Sequence, residues 1–342
     1  MKEINLNEKY NMKVVKGEEK MSTENKILML YRCETPLHVG SGDEMGIVDL
    51  PIQREKHTGF PKMEASGIKG VFRDKLEREL GKENENICTI FGSDGEIRSG
   101  EEEKKSEAGG LIFTDARLLL FPVRAGRDVF RWITCPYVLQ RFAREWNLTY
   151  GENECDILSG INLKILNDLE KGNVYEIKKK GQQQSNSQTK REKKISLDEF
   201  QFNVKEEISS DLLEIVEKII IDNYLKEKLN KGIVLVSDEV FSYFTEMNTQ
   251  VDTRIRIGDD GVVEDGALFT EEFLPEESVL YSAVEEWKDG ALQAFTEGLE
   301  IENFFMQFGG DMTIGKGITE VHIYKKENDS EEKKEGGELN EA

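Results

Sequence analysis

The 342-residue chain carries 46 lysines and arginines against 68 aspartates and glutamates, which gives a formal net charge of −22. This charge argues against a protein that binds nucleic acid over its whole surface, although a local basic face would still permit contact. No stretch approaches the roughly 18 apolar residues of a membrane span, the N-terminus has no apolar signal core, and the four cysteines form no CxxC pair. These features predict a cytoplasmic protein with reduced thiols, no membrane contact and no zinc site.

The sequence predicts one folded domain with less ordered ends. Residues 1–24 are polar and predict an N-terminal extension, residues 25–326 hold the apolar patterns of a single domain, and residues 327–342 predict a disordered acidic tail. Apolar runs and helical spacing predict the elements of that domain. The expected strands are 26–33, 110–121, 129–135, 233–237 and 319–324, and the expected helices are about 68–80, 211–230, 283–299 and one that begins at Pro136.

A long loop from Thr35 to Arg73 follows the first strand and runs into the first helix. Glycines and prolines interrupt it too often for regular structure, yet interspersed apolar residues distinguish it from a polar linker. Long ordered loops are common places for binding and chemistry. Its end, Ser66 to Gly70, leads into a helix whose free backbone N–H groups, together with Lys69, would suit an anion.

Three later segments bear on RNA binding. Residues 178–194 contain no apolar residue and predict a flexible basic insert, which is either a solvated loop or a mobile arm that touches RNA phosphates. Residues 111–144 carry six arginines against two aspartates, in contrast to the acidic chain as a whole. Strict alternation at 253–257, a glycine-bounded turn and a return through 262–269 predict a β-hairpin.

Acids and histidines of the loop and the hairpin are candidate chemical groups. Asp49 is either a turn residue or a functional acid, and the loop histidines, His38 and His57, are either structural or able to shuttle protons and contact phosphate. Glu271 and Glu272 follow the hairpin and form either a charged turn or a metal-binding pair. HExxH, GxSxG and dinucleotide motifs do not occur, so a metalloprotease, serine hydrolase or dehydrogenase has no support.

A second glycine-rich loop lies near the end of the domain. The run from Gly310 to Lys316 matches GxxxxGK, the phosphate-binding loop of NTPases, but Gly317 replaces the Ser or Thr that holds magnesium. A loop that allows an RNA backbone to approach closely is therefore favoured over an NTPase.

Ten motifs occur in order between residues 27 and 324, and together they resemble a known family. They are LHVGSG (37–42), GIVDLPIQREKHTGFP (46–61), SGIKGVFR (66–73), IFGS (90–93), FTDARLLLFPVR (113–124), WITCPYVLQRF (132–142), VLVSDEVFSYF (234–244), RIRI (254–257), LFTEEFLP (268–275) and FGGDMTIGKG (308–317). The chain resembles the RAMP superfamily of CRISPR proteins, and within it the backbone subunit of the type III-B (Cmr) effector complex. The extension, the insert and the tail lie outside the resemblance.

The resemblance implies an α+β fold with a ferredoxin-like (RRM-type) RAMP core, shaped as a hand with palm, fingers and a β-hairpin thumb at about 250–270. Such subunits stack head to tail along the CRISPR guide RNA, with other Cmr subunits, as a helical filament of copies. The thumb disrupts the guide–target duplex at regular intervals. Each subunit then cleaves the single-stranded target RNA once with a divalent metal ion, expected to be Mg²⁺, in antiviral defence.

The resemblance also implies roles for individual residues. Asp49 matches the aspartate on which cleavage depends, and it would either bind the metal or help take the 2′-OH proton. His38 matches the histidine of the same family loop, and Glu271 matches an acid near the site. The residues expected to contact RNA, mainly its backbone, are Ser66, Lys69, Arg73, Arg54, His57, Arg254, Arg256, Gly309, Gly310 and Lys316.

Two other interpretations stay open at this point. One is a non-catalytic RNA-binding scaffold with a weak or unused cleavage site. The other is a precursor-CRISPR-RNA processing nuclease of the same superfamily, which would act alone on repeat RNA without a bound guide. The motif matches favour the backbone subunit.

Overall fold

A computed structural model of the chain describes residues 25–324 apart from 43–45, 47, 94–106, 152–154, 182–192, 260 and 300. The predicted extension, the acidic tail and most of the predicted basic insert lie outside these residues. The two ends of the insert belong to strands rather than to a loop, because residue 178 ends one strand and residues 193–194 begin the next.

The described residues form the following elements in chain order. The strands are β1 Lys26–Cys33, β2 Lys62–Met63, β3 Leu111–Phe113, β4 Ala116–Ala125, β5 Val129–Thr134, β6 Asn173–Lys178, β7 Lys193–Leu197, β8 Phe200–Ser209, β9 Ile233–Leu235, β10 Gln250–Ile257, β11 Val263–Phe273, β12 Val279–Glu286, β13 Asn303–Gln307 and β14 Ile318–Tyr324. The α-helices are α1 Ala65–Leu80, α2 Glu85–Phe91, α3 Pro136–Tyr150, α4 Leu163–Leu169, α5 Leu212–Glu217, α6 Asn223–Asn230, α7 Asp238–Met247 and α8 Ala291–Gly298.

Twelve of these strands form one large mixed sheet with the order β13-β14-β1-β12-β4-β5-β9-β6-β8-β7, to which β2 and β3 attach through β4 and β12. Helices cover both faces of its centre. On one face, Phe72 of α1 packs against Phe295 of α8 with ring centroids 5.3 Å apart, and on the other Phe142 of α3 packs against Tyr281 of β12 at 4.8 Å. The strands β10 and β11 form a separate hairpin, as predicted.

One predicted helix, 283–299, is wrong over its first part. Residues 279–286 form β12, which pairs with β1 on one side and with β4 on the other. The strand is buried on both faces, and a continuous apolar run of this kind cannot be told from a buried helix by periodicity. The helix begins only after Gly290, which has the positive φ of 82° that favours glycine.

The predicted helix at 211–230 is divided into α5 and α6. Ile219 and Ile220 are buried at the break, and Asp222 starts the second helix by accepting a hydrogen bond from the Leu225 N–H at 2.8 Å. Ser210, just before α5, accepts a hydrogen bond from the Leu212 N–H through its hydroxyl at 3.1 Å. The apolar spacing hides the break because apolar residues on both sides of it and within it are buried.

Among the described residues, no helix has the length and apolar character needed to cross a membrane.

The buried His322 predicts a pH-dependent stability. Its side chain is 4% exposed, and burial, with a smaller effect of Lys218, lowers its pKa from 6.5 to about 4. Because the unfolded chain binds a proton in this pH window and the folded ring does not, the free energy of unfolding falls as the pH drops. Acidification from pH 7 to pH 5 should therefore cost roughly 2 kcal/mol at this residue.

Urea unfolding of the wild type and His322→Gln at both pH values measures this effect. The variant cannot titrate at position 322, so its stability should fall less on acidification, while all other groups contribute equally to both proteins. Equal pH dependence in the two proteins would contradict the assignment.

Candidate functional site

The hairpin of β10 and β11 has two unlike faces. Directly paired residues of an antiparallel ladder project to the same side. The pair Asp252–Glu271 therefore lies on one face of the hairpin, and the pair Ile255–Leu268 lies on the other. Thr270 lies on the same face as Leu268, because it is two residues away on the same strand. The second face carries apolar side chains that are 44% to 64% exposed. We call this surface the apolar hairpin face and define it by Val251, Ile255, Ile257, Val263 and Leu268.

Asp49 is attached to the base of the apolar hairpin face by Thr270. The Thr270 backbone N–H and hydroxyl each donate to Asp49 Oδ2 at 2.8 Å, and the Asp49 N–H donates to the Thr270 hydroxyl oxygen at 3.0 Å. These bonds, the backbone one most strongly, hold the pKa of the Asp49 carboxyl below its usual value. Asp49 is exposed, so it is an ionised and oriented carboxylate that a ligand can reach.

The residues after Asp49 run beside β11 like a short additional strand. Leu50 donates its N–H to the Thr270 carbonyl at 3.0 Å and accepts from the Glu272 N–H at 3.0 Å. These two bonds form a parallel bridge. The loop segment around Asp49 therefore has a fixed register against the hairpin, which a polar loop on its own would lack.

The buried carboxylate of Glu272 holds the same segment from the side. It is 5% exposed and accepts from the Ile52 N–H at 3.0 Å, from Arg54 Nη2 at 2.5 Å and from the Thr249 hydroxyl at 2.8 Å. Arg54 also donates to two backbone carbonyls. Its guanidinium is engaged within the protein, and its predicted contact with RNA stays a prediction.

His38 lies on the charged side of the hairpin and is 9% exposed. Its Nδ1 is 2.7 Å from the Glu272 carbonyl oxygen. Because a carbonyl can only accept, Nδ1 must carry a proton. The other nitrogen, Nε2, faces Glu271 Oε1 at 3.5 Å. His38 and Asp49 thus meet neighbouring parts of β11 but on different faces, and this geometry favours a positioning role for the histidine.

The buried Glu271 belongs to a charged network with the partly buried Arg254 and Asp311. Arg254 Nε is 2.8 Å from Glu271 Oε2, and its Nη2 is 2.6 Å from Asp311 Oδ2. Burial raises the pKa of Glu271, a hydrogen bond with Asp311 raises it further, and the charges of His38 and Arg254 oppose these effects. Glu271 is therefore held behind His38 rather than presented to solvent.

The glycine-rich loop at 308–317 closes over His38. Gly309 has φ 72°, and a Cβ there would lie 2.0 Å from the His38 carbonyl oxygen. Gly310 donates its N–H to the same oxygen at 2.9 Å. The structure thus explains these glycines by close approach within the chain, and their predicted contact with RNA stays a prediction.

Two cations of the predicted RNA-binding set lie over the buried ring of Phe273. Lys316 Nζ is 4.5 Å from the ring centroid and the Arg254 guanidinium carbon is 5.7 Å from it. Lys316 Nζ also lies 3.4 Å from Asp252 Oδ2. Arg256, further along the same strand, is exposed, with Glu264 at 3.8 Å.

The helix α1 begins at Ala65, three residues before the predicted start, because the Ala65 N–H finds Asp115 Oδ1 at 3.0 Å. Ser66 is therefore an exposed residue of the first turn. Lys69 and Arg73 follow on the helix and are half-buried, and burial, with the neighbouring Arg73, lowers the pKa of Lys69.

Gln53 connects this helix to the loop around His38. Its Oε1 accepts from the Glu64 N–H at 2.8 Å, just before α1, and its Nε2 donates to the Gly40 carbonyl at 3.2 Å. The start of α1 is thus placed beside the Asp49 loop. His57, in contrast, is exposed and lies 3.2 Å from the Tyr137 hydroxyl of α3, apart from this arrangement.

The donor set around Asp49 fits one kind of metal site. The described residues include no group of three or more His, Cys, Asp or Glu side chains placed to hold a metal ion. Magnesium commonly binds to one or two carboxylates, several waters and substrate phosphates rather than to a cage made only of protein. A single exposed carboxylate fits that arrangement and does not fit a zinc or calcium cage.

Sequence reasoning missed Thr270 and Asp311. Thr270 is 221 positions from Asp49 in the chain, and Asp311 follows two glycines that suggested a phosphate loop. The alternation of the hairpin could have assigned Thr270 to the face that also carries Leu268. It could not have identified the carboxylate that Thr270 would meet.

Comparison with known proteins supports the resemblance of the ten motifs. The model of the RAMP superfamily matches residues 30–320. This chain therefore belongs to the RAMP superfamily, and its mixed α/β architecture with one large mixed sheet agrees with the solved structures that it matches.

Two relatives are both Cmr4 proteins. The CRISPR system Cmr endoribonuclease Cmr4 of Pyrococcus furiosus is 33% identical over 299 residues, which cover 84% of this chain and 92% of that protein. The CRISPR system CMR subunit Cmr4 of Saccharolobus solfataricus is 24% identical over 312 residues, covering 85% and 94%.

Solved structures of related proteins share the fold of this chain. A crystal structure of oligomeric Cmr4 from Pyrococcus furiosus has a TM-score of 0.60 and 28% identity, covering 88% of this chain and 98% of its own. A cryo-EM structure of the type III-B Cmr-beta complex bound to cognate target RNA contains a chain with the same fold, with a TM-score of 0.63 and 22% identity, covering 87% and 96%.

The attachment of Asp49 predicts the effect of changing Thr270. Thr270→Val removes the hydroxyl but keeps the backbone N–H, so the pKa of Asp49 should rise toward its usual value without reaching it. NMR titration of ¹³C-labelled aspartate carboxyls measures this shift. The matched variant Thr270→Ser keeps the hydroxyl and should leave the pKa unchanged, and an unchanged pKa in Thr270→Val would refute the proposed cause.

Proposed function

We propose that this chain is the RNA-cleaving backbone subunit of a type III-B CRISPR effector complex. The observation that carries the proposal is the ionised, exposed carboxylate of Asp49, which Thr270 fixes at the base of a hairpin with an exposed apolar face. The similarity to proteins named as Cmr4, one of them an endoribonuclease, supports the same function. The proposed partners are a CRISPR guide RNA, its complementary target RNA, further copies of this chain and other Cmr subunits.

The proposal includes a ferredoxin-like palm. The elements β1, α1, β4, β12, α8 and β14 follow the β-α-β-β-α-β order of that fold. Their strands are neighbours in the order β14-β1-β12-β4, all antiparallel. In this arrangement the hairpin of β10 and β11 is the thumb, and α5, α6 and the sheet beyond β5 belong to the fingers.

The apolar hairpin face supplies the step that prepares the target strand. Apolar side chains inserted between bases partly unstack them and distort a duplex. Ile255 and Leu268, which are exposed on the same face as Thr270, would displace a base next to Asp49. A sugar released from stacking can then bring its 2′-OH in line with the adjacent phosphate.

Asp49 would orient that 2′-OH by accepting its hydrogen bond, and would help take its proton as the phosphate is attacked. The bond from the 2′-oxygen to phosphorus forms while the bond to the 5′-oxygen breaks, and the departing 5′-oxygen takes a proton from water, which leaves a 2′,3′-cyclic phosphate and a 5′-hydroxyl. A divalent ion, with Mg²⁺ as the proposed ion and Asp49 as its protein ligand, would neutralise the phosphate charge when bound. His38 and Glu271 would hold the loop against the hairpin.

The remaining cations would hold the guide by its backbone. Lys69 and Arg73 lie on the helix that Gln53 connects to the Asp49 loop, and Lys316 and Arg256 lie on the charged side of the thumb. Phosphate contacts position a strand without reading its sequence. This suits a protein whose specificity comes from base pairing between the guide and its target.

Substitution of Asp49 tests the proposal directly. An effector complex assembled on a guide, with Mg²⁺ and end-labelled complementary RNA, should give a ladder of regularly spaced products. Asp49→Ala should lower the cleavage rate by at least about 100-fold while the guide and target still bind. Asp49→Asn keeps the hydrogen-bonding shape and should also lose cleavage, and chelation of the metal should abolish the ladder of the wild type.

The outcomes separate the alternatives. A ladder that persists in Asp49→Ala would place the chemistry elsewhere. No ladder from the wild type would favour a scaffold, and cleavage of repeat RNA by the free protein would favour a precursor-processing nuclease. A 2′,3′-cyclic phosphate at the new 3′ end, detected by its resistance to phosphatase before acid treatment, distinguishes attack by the 2′-OH from attack by water.

The apolar hairpin face gives an independent prediction. The double variant Ile255→Ser and Leu268→Ser should slow cleavage by about tenfold or more, because exposed serines unstack a base less well than apolar side chains. The same ladder assay measures the rate. Arg256→Ser, on the opposite face of the same hairpin, is the matched control and should affect guide binding more than the cleavage rate at saturating RNA. Equal rates for the double variant and the wild type would refute a wedge role.

A further inference from the structure

A second concave surface lies between the loop after Arg54 and α3. This cavity of about 340 Å³ shares no residue with the Asp49 site, and its volume lies within the range of ligand-binding cavities. We call it the arginine cleft and define it by Lys56, His57, Arg117, Tyr137, Arg141 and Arg144.

The arginine cleft is positive in a strongly acidic protein. Five lysines and arginines line it against two carboxylates, and both carboxylates are already paired. Glu55 accepts two bonds from Arg141 Nη1 at 2.6 and 2.8 Å, and Asp115 accepts from Lys62 at 2.9 Å. The other three cations of the cleft make no salt bridge with any residue that the structure describes. Such a concave positive surface concentrates anions.

Arg141 is built into the floor of the cleft. Its side chain is 5% exposed and its partner Glu55 is 8% exposed. The nitrogens Nε and Nη2 are buried, and the guanidinium also interacts with the buried Tyr281 hydroxyl. Arg141 therefore contributes positive charge from the floor of the cleft, while Arg117 and Arg144, which make no salt bridge with a described residue, are the side chains suited to contact a phosphate.

Two rings lie at the mouth of the cleft. Tyr137 is 39% exposed, its hydroxyl is 3.2 Å from His57 Nε2, and the Arg141 guanidinium carbon is 5.5 Å from its ring centroid. Exposed tyrosine and histidine rings next to arginines are typical of surfaces that stack the bases of single-stranded RNA. An acidic peptide would use the cations of the cleft but would have no use for the rings.

We propose that the arginine cleft is a second RNA-binding site, which holds a phosphate of a single strand on its arginines and a base on Tyr137. This inference rests on the proposed function, because it needs an RNA strand that passes from the thumb over the same subunit. It also accounts for the basic character of residues 111–144, in which Arg117, Arg141 and Arg144 belong to the cleft.

The test compares two double variants of the full-length protein. Arg117→Ala with Arg144→Ala removes two free cations of the cleft. Arg124→Ala with Arg127→Ala removes two exposed arginines of the β4–β5 region, outside the cleft, and is the matched control. Fluorescence anisotropy with labelled single-stranded RNA, over a series of salt concentrations, measures the affinity of each protein.

We expect the cleft variant to bind about tenfold or more weakly. The slope of log affinity against log salt should become shallower by about 0.7, since the cleft holds one phosphate and each lost phosphate contact removes about 0.7 for a single strand. The control variant should match the wild type. Affinity and slope that are unchanged in the cleft variant would overturn the proposal, as would an equal loss in both variants.

Further measurements distinguish the other outcomes. If the cleft variant binds RNA normally but self-associates less in sedimentation velocity, the cleft receives an acidic surface of a second copy and the RNA proposal fails. In assembled complexes, weaker guide loading would identify the guide as the ligand, and weaker capture by guide-loaded complexes would identify the target.

The proposal for the arginine cleft and the proposal for the Asp49 site can be refuted independently. At saturating RNA the cleft variant should keep the cleavage rate and spacing of the wild type, whereas Asp49→Ala should keep its RNA affinity and lose cleavage. A protein that binds through the cleft but never cleaves would refute the proposed chemistry and leave the second site intact.

Discussion

The attachment of the Asp49 loop to the last residues of β11 is the constraint on which the site depends. Glu272 is buried and accepts hydrogen bonds from Ile52, Arg54 and Thr249, so removal of its carboxylate would leave several buried donors without a partner. Thr270 then needs only its N–H and hydroxyl to orient Asp49. A surface loop rich in glycine thereby presents a carboxylate as rigidly as a strand would.

The strand β11 contacts parts of the chain that lie far apart in sequence. One of its faces carries Thr270 and the exposed apolar side chains, and the other carries Glu271 with Arg254, His38 and the glycine loop. The charged face is largely satisfied within the protein, since Arg254 lies between Glu271 and Asp311. The apolar face is left to solvent, which is unfavourable for an isolated protein and typical of a surface that a partner covers.

The charged residues are also distributed unevenly over the protein. The chain is strongly acidic overall, yet groups of cations lie on α1, on the hairpin of β10 and β11 and in the arginine cleft. A protein that holds a guide and its target along an extended path needs several separate backbone contacts rather than one basic face. In the proposed function the acidic remainder would limit RNA contact to those places, because local field rather than net charge governs contact.

The sequence by itself determined the family, β1, the hairpin and the candidate aspartate, because motifs, strict alternation and glycine punctuation are local signals. Tertiary structure decided the rest. The segment 279–286 is a strand rather than a helix because it is buried on both faces and its apolar run carries no period. The partner of Asp49 is 221 positions away, and the arginine cleft collects residues from a loop, a strand and a helix. Such long-range contacts depend on how the sheet is ordered, which no local pattern of residues specifies.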